Sequence, residues 1–167
     1  MHPSIALRRA VLCGATTAVA LTAGGGPAVA QKAAKKQVTC RLTLYATIPQ
    51  PAPTAANFGS ARCGLPFGNG VQQDSSTTTR TSPLTGSFTG PFKLFFDRGS
   101  LRGTLTISFV TTVDAALHIT GVTYKGTLKI TGGSARNRKV RGTGTVTGFS
   151  PDAFRTDLTE VLTLTGV

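Results

Sequence analysis

From Val38 onward, apolar residues recur at every second position along most of the chain. That period marks a strand with one buried and one wet face. The first predicted strand covers 38–47, with Val38, Cys40, Leu42, Leu44 and Ala46 in phase. A proline-rich stretch over 49–53 follows and cannot continue a sheet. A second strand is expected near 57–63, a turn over 64–70, and a polar third strand over 71–79. The fourth, 84–96, sets Leu84, Gly86, Phe88, Gly90, Phe92, Leu94 and Phe96 on one side. The run Asp97, Arg98, Gly99, Ser100 is a hairpin signal. The fifth strand, 101–112, has Leu101, Gly103, Leu105, Ile107 and Phe109 in phase. The sixth, 117–131, slips phase between Ile119 and Val122, which predicts a bulge near Gly121. Strands over 140–149 and 156–166 complete a set of eight. No segment keeps a helical period. The reading is all-β: an eight-stranded antiparallel up-and-down barrel of calycin-like form, in which closure removes exposed edges. The alternative architecture is an open β-sandwich.

The segment 124–148 is the most regular part of the pattern. Val122, Tyr124, Gly126, Leu128 and Ile130 share a face and threonines and lysines fill the other. Gly132 and Gly133 are expected to turn the chain into a short basic loop. Val140, Gly142, Gly144, Val146 and Gly148 then share a face. Glycine at alternate positions suits a strand that coils sharply around a small barrel or makes room for a bulky neighbour.

The run ITGGSARNRKVRGTGTVTG, 130–148, resembles the strand–GGTGxYxxAxG–strand signature of the allene oxide cyclase barrel and dirigent-like superfamily, above all its secreted bacterial members. CGLPFGNGVQQD (63–74) and TGPFKLFFDRGSLRGTLTISF (89–109) are similar to the same group. The chain departs from the signature where Ala135 replaces a turn glycine, Asn137 an aromatic residue and Val140 a small alanine. The resemblance implies an eight-stranded antiparallel barrel with a lipophilic interior. It carries over no catalytic residue.

The amino-terminal segment changes the picture of where such a barrel works. Arg8 and Arg9 precede an apolar run over 10–23, and Ala28, Val29 and Ala30 form a cleavage site before Gln31. Residues 1–30 therefore read as a signal peptide, 31–37 as a basic linker with Lys32, Lys35 and Lys36, and 38–167 as one domain. The apolar run is too short and glycine-rich for a membrane span, and Cys13 lacks the setting of a lipid-anchored cysteine. The expected location is secreted or cell-envelope. In that compartment Cys40 and Cys63 read as a disulfide, worth roughly 3 kcal/mol of chain entropy; two buried free thiols are the alternative.

Most chemistry is excluded by what is missing. After the leader His118 is the only histidine, so no multi-histidine metal site exists, and no metal or cofactor is expected. No nucleophile elbow or phosphate-binding glycine loop occurs. Glu160, the only glutamate, falls in phase with Leu158, Leu162 and Leu164. A buried carboxyl there is either a polar anchor or acid–base group in a cavity, or half of an ion pair at the barrel end. Tyr124 is open to the same two readings: ligand orientation or a hydrogen bond within the core.

The chain holds 18 basic and 6 acidic residues, a formal net charge of +12. Arg136, Arg138, Lys139 and Arg141 cluster in one loop and could touch anionic surfaces weakly, or simply be solvated. Specific nucleic-acid binding is not expected of an exported chain with no tryptophan and only 2 tyrosines.

The function this pattern favours is binding of a small apolar molecule inside the barrel, without a cofactor. The expected lining is Phe88, Phe92, Leu105, Phe109, Tyr124 and Leu128, with Glu160 as its polar group. Glycines at 86, 90, 103 and 126 are expected to leave a pocket of roughly a few hundred Å³ beside the rings. One alternative is a cofactor-free cyclase or isomerase of allene oxide cyclase or dirigent type, which would work by confining a reactive intermediate. Another is a non-catalytic envelope or surface protein with a filled barrel. Nothing in the pattern sets the oligomeric state.

Overall fold

The computed structural model describes residues 34–47, 54–152 and 154–167. The signal-peptide reading over 1–30 and the proline-rich stretch over 49–53 lie outside the described residues. Eight strands form in chain order: β1 Lys36–Ala46, β2 Thr54–Cys63, β3 Gly68–Arg80, β4 Thr85–Phe96, β5 Gly99–Val113, β6 Ile119–Gly133, β7 Arg141–Ser150 and β8 Arg155–Thr165. Each pairs antiparallel with its neighbour, and β1 pairs with β8 from Lys36–Leu164 to Tyr45–Arg155. That last ladder closes the sheet into a barrel and excludes the open sandwich. The strand begins at Lys36, so the end of the stretch read as linker is already in the sheet.

Alternation fixes what fills the barrel. Leu42, Leu44, Leu94, Leu105, Leu128, Ile130, Leu158 and Leu162 point inward and are buried. Their neighbours in sequence, mostly threonine, lysine and arginine, face out. Eight strands enclose an interior just wide enough for packed side chains. The ends differ. One is formed by the β2–β3 and β4–β5 turns and the β6–β7 loop, with a short 3₁₀ turn at Ala135–Asn137. The other is formed by the β3–β4, β5–β6 and β7–β8 connections.

The bulge expected near Gly121 is present: Thr112 pairs with Gly121 but Val113 with Ile119, which leaves Thr120 unopposed. A second shift, unforeseen, skips Thr131 between Arg102 and Gly103. Gly132 and Gly133 stay in β6 instead of forming the turn. A Cβ at Gly133 would meet the Ser100 carbonyl at 2.0 Å, so this glycine permits close strand approach. The chain turns later, through Ser134 to Val140.

Candidate functional site

Small residues at the second end leave a cavity of about 160 Å³ in the barrel mouth. Ala46, Ala55 and Ser76 are inward positions where a larger side chain would have closed the barrel. Phe88, Leu105, Ile107 and Leu158 form an apolar wall. The opposite wall, from β2 and β3, is polar: Asn57, Asp74 and Ser76. Tyr124 lies between the walls, beside the Thr156 and Ser150 hydroxyls, and burial raises its phenol above the ordinary range.

Behind the polar wall sits a buried hydrogen-bonded chain. Asn57 Nδ2 donates to Asp74 Oδ1 at 2.8 Å, and Gln72 Nε2 donates to Asp74 Oδ2 at 3.5 Å. The Gln72 side chain also lies beside Glu160, which is 1 % exposed. Burial drives the Glu160 pKa up to about 8, and the negative charge of Asp74 adds to the shift. Asp74 is also raised, by burial, with the Asn57 and Gln72 donors pulling the other way. Two carboxyls so placed cannot both ionise cheaply. At neutral pH Glu160 keeps its proton. Gln72 Oε1 and Glu160 Oε2 are buried without a hydrogen-bond partner among the described residues, and a protonated carboxyl is a donor where an ionised one only accepts.

The residues expected to line a ligand site divide in two. Phe88, Leu105 and Tyr124 border the cavity. Phe109 does not: it stacks behind Phe88, with ring centroids 4.8 Å apart. Phe92 and Leu128 are packed in the core at 3 % exposure, and Glu160 lies beneath the cavity floor. The glycines do not leave empty space. A Cβ at Gly126 would meet the Thr106 carbonyl at 2.2 Å, and one at Gly90 the Ser75 carbonyl at 2.0 Å. At Gly86 the Phe109 ring already occupies the room. Glycine here lets strands coil closely, and the cavity comes from Ala46, Ala55 and Ser76 instead.

Asn57, Gln72 and Asp74 escaped the sequence reading. Val71 is the only apolar residue of a polar stretch, and it suggests the wrong inward phase for β3. The register decides otherwise: Asp74 pairs directly with the inward Phe92, and Gln72 with Leu94.

Elsewhere, Cys40 and Cys63 are direct partners across β1–β2 and form the disulfide. Arg136, Arg138, Lys139 and Arg141 are all exposed at the first end. Arg141 is held, donating through Nη1 to the Arg138 and Val140 carbonyls at 3.0 and 2.8 Å. His118 precedes β6 and is exposed, 3.3 Å from Asp114. Among the described residues no cluster of three or more His, Cys, Asp or Glu could hold a metal ion.

No family model matches the chain. No curated protein matches it either. Among solved structures, pyocyanin demethylase is similar: 17% identity over 79% of this chain and 100% of that chain, with a TM-score of 0.46. A likeness this slight says nothing of chemistry.

Proposed function

We propose that this chain is an exported barrel protein that binds one small, mostly apolar molecule in the mouth between Phe88, Tyr124 and Leu158, without a cofactor. The cavity, about 160 Å³ with an apolar wall facing a polar one that holds Asp74, carries the reading. Its size sets the ligand. An apolar cavity of about 150 Å³ admits a benzene-sized molecule. The polar wall sets its chemistry, because the Asp74 carboxyl and the Ser76 and Thr156 hydroxyls offer acceptors to a ligand donor. A single ring bearing an O–H or N–H donor fits both constraints. An anion does not, because an ionised Asp74 at the wall would oppose it. Export is supported by the leader pattern and by the disulfide, which belongs to oxidising compartments.

The two buried carboxyls, Asp74 and Glu160, favour a second reading, a cofactor-free isomerase or cyclase of the kind the 130–148 resemblance implies. Asp74 would act as the acid or base at the cavity wall, and confinement would do the rest.

Filling the mouth tests binding. Titration calorimetry with phenol should show one site in the wild type, weakened by about tenfold or more in Ser76→Leu, with an unchanged β-type circular dichroism spectrum. Equal binding by both proteins would remove the cavity from the account. Turnover of a ring-forming or isomerising substrate, lost in Asp74→Asn, would separate the second reading from the first.

A further inference from the structure

The opposite end of the barrel carries a second hollow, of about 190 Å³. Its floor is apolar, made by Phe67, Phe96 and Val140, with the two rings 5.1 Å apart. Arg98 and Arg136 border it. Among the described residues neither guanidinium has an ion-pair or hydrogen-bond partner, although Asp97 adjoins Arg98 in sequence. Asn137, in the same wall, is 8 % exposed, and its Nδ2 has no acceptor.

Each feature is costly alone. Two like charges beside one hollow repel, and a buried amide N–H without an acceptor loses its hydration for nothing. A single ligand relieves all three. It needs a carboxylate to take the guanidinium forks and the amide donor, and an apolar body to cover the phenylalanines. The field at this end points the same way: Lys36, Arg102, Arg138, Lys139 and Arg141 lie here with Asp97, whereas at the other end Arg80 and Arg155 face Asp114, Asp152 and Asp157. We infer that the hollow between the β2–β3 turn, the β4–β5 turn and the β6–β7 loop is a binding site for a small amphiphilic carboxylate, a single-ring or short-chain acid. The barrel thus has two sites of opposite preference, neutral donors at one mouth and carboxylates at the other end.

An amide-resolved NMR titration of the purified protein with sodium benzoate tests this. Benzoate should saturate, and should shift the Asn137 side-chain amide and the amides around Phe67 and Phe96. Arg98→Gln combined with Arg136→Gln changes only exposed side chains, and should weaken binding by about tenfold or more. Benzamide, which has the same shape without the charge, should bind much more weakly. Inorganic phosphate, which has charge without the apolar body, should not compete at equal concentration. Ser76→Leu should leave benzoate binding unchanged, so the outcome does not depend on the other mouth. Equal binding of benzamide or phosphate, unchanged binding in the double variant, or shifts confined to Phe88 and Tyr124 would each overturn the inference.

Discussion

Asn57 and Asp74 are direct partners across the β2–β3 ladder, and their side chains meet inside the barrel, where Asn57 Nδ2 donates to Asp74 Oδ1 at 2.8 Å. This bond keeps a buried carboxyl from rising further toward neutrality. Asn57→Ala should raise the Asp74 pKa beyond its already raised value. It should also cost about 1–3 kcal/mol of stability, because the buried carboxyl loses its shortest hydrogen bond. Carboxyl-carbon NMR titration and urea unfolding read the two effects.

Glu160 sets the pH dependence of folding. Its pKa rises from 4.5 to about 8 on folding, so the folded state keeps a proton that the unfolded chain releases. Below about pH 4.5 both states are protonated and the group has no effect. As pH climbs from there to about 8 the unfolded chain ionises first, and stability falls. Glu160→Gln, neutral at every pH, should flatten this slope and gain about 3 kcal/mol at pH 7. Urea unfolding at pH 5 and pH 7 would show wild type more stable at pH 5 and the variant nearly level. A wild type more stable at pH 7, with the slope kept in the variant, would mean that Glu160 is ionised in the fold.

The β6–β7 loop holds a strained residue. Ala135 sits at φ 49°, a left-handed conformation that costs an ordinary side chain about 1–2 kcal/mol. Ala135→Gly removes the strain but gives the unfolded chain more freedom. The net gain should be about 0.5–1 kcal/mol, read as a higher urea midpoint with the same slope.

The same loop should give the protein weak affinity for extended polyanions. Replacing Arg136, Arg138 and Lys139 together by Ala should bring heparin-column elution to clearly lower salt, since screened charge is the main term. Arg141 belongs outside that set: its guanidinium holds two loop carbonyls, so Arg141→Ala should lower stability as well. Unchanged elution salt would place the polyanion surface elsewhere.

How far the sequence carried depended on apolar contrast. Strands with a leucine or phenylalanine at alternate positions, such as β4, β5 and β8, declared their inward face, and Glu160 was placed with them. The hairpin at Asp97 and Arg98 was legible because Gly99 takes φ 124°. β3 has no such contrast: Gln72, Asp74 and Ser76 face inward only because pairing with β4 puts them there. Asp74 and Ser76 of the polar wall were therefore hidden in a register that no local pattern encodes. The inward glycines misled for a related reason. At Gly126 the occupant of the missing side chain is the Thr106 carbonyl of the next strand, which the local sequence does not reveal.

The central claim is that a ring-sized molecule enters the mouth beside Asp74. A crystal of the protein soaked in 4-bromophenol, measured at the bromine absorption edge, locates the ligand without assumption. The account predicts an anomalous peak between Phe88, Tyr124 and Leu158, with the phenol hydroxyl toward Asp74 and the peak lost in Ser76→Leu. Bromine density only elsewhere on the barrel, or none at a concentration that saturates the calorimetric titration, would contradict it.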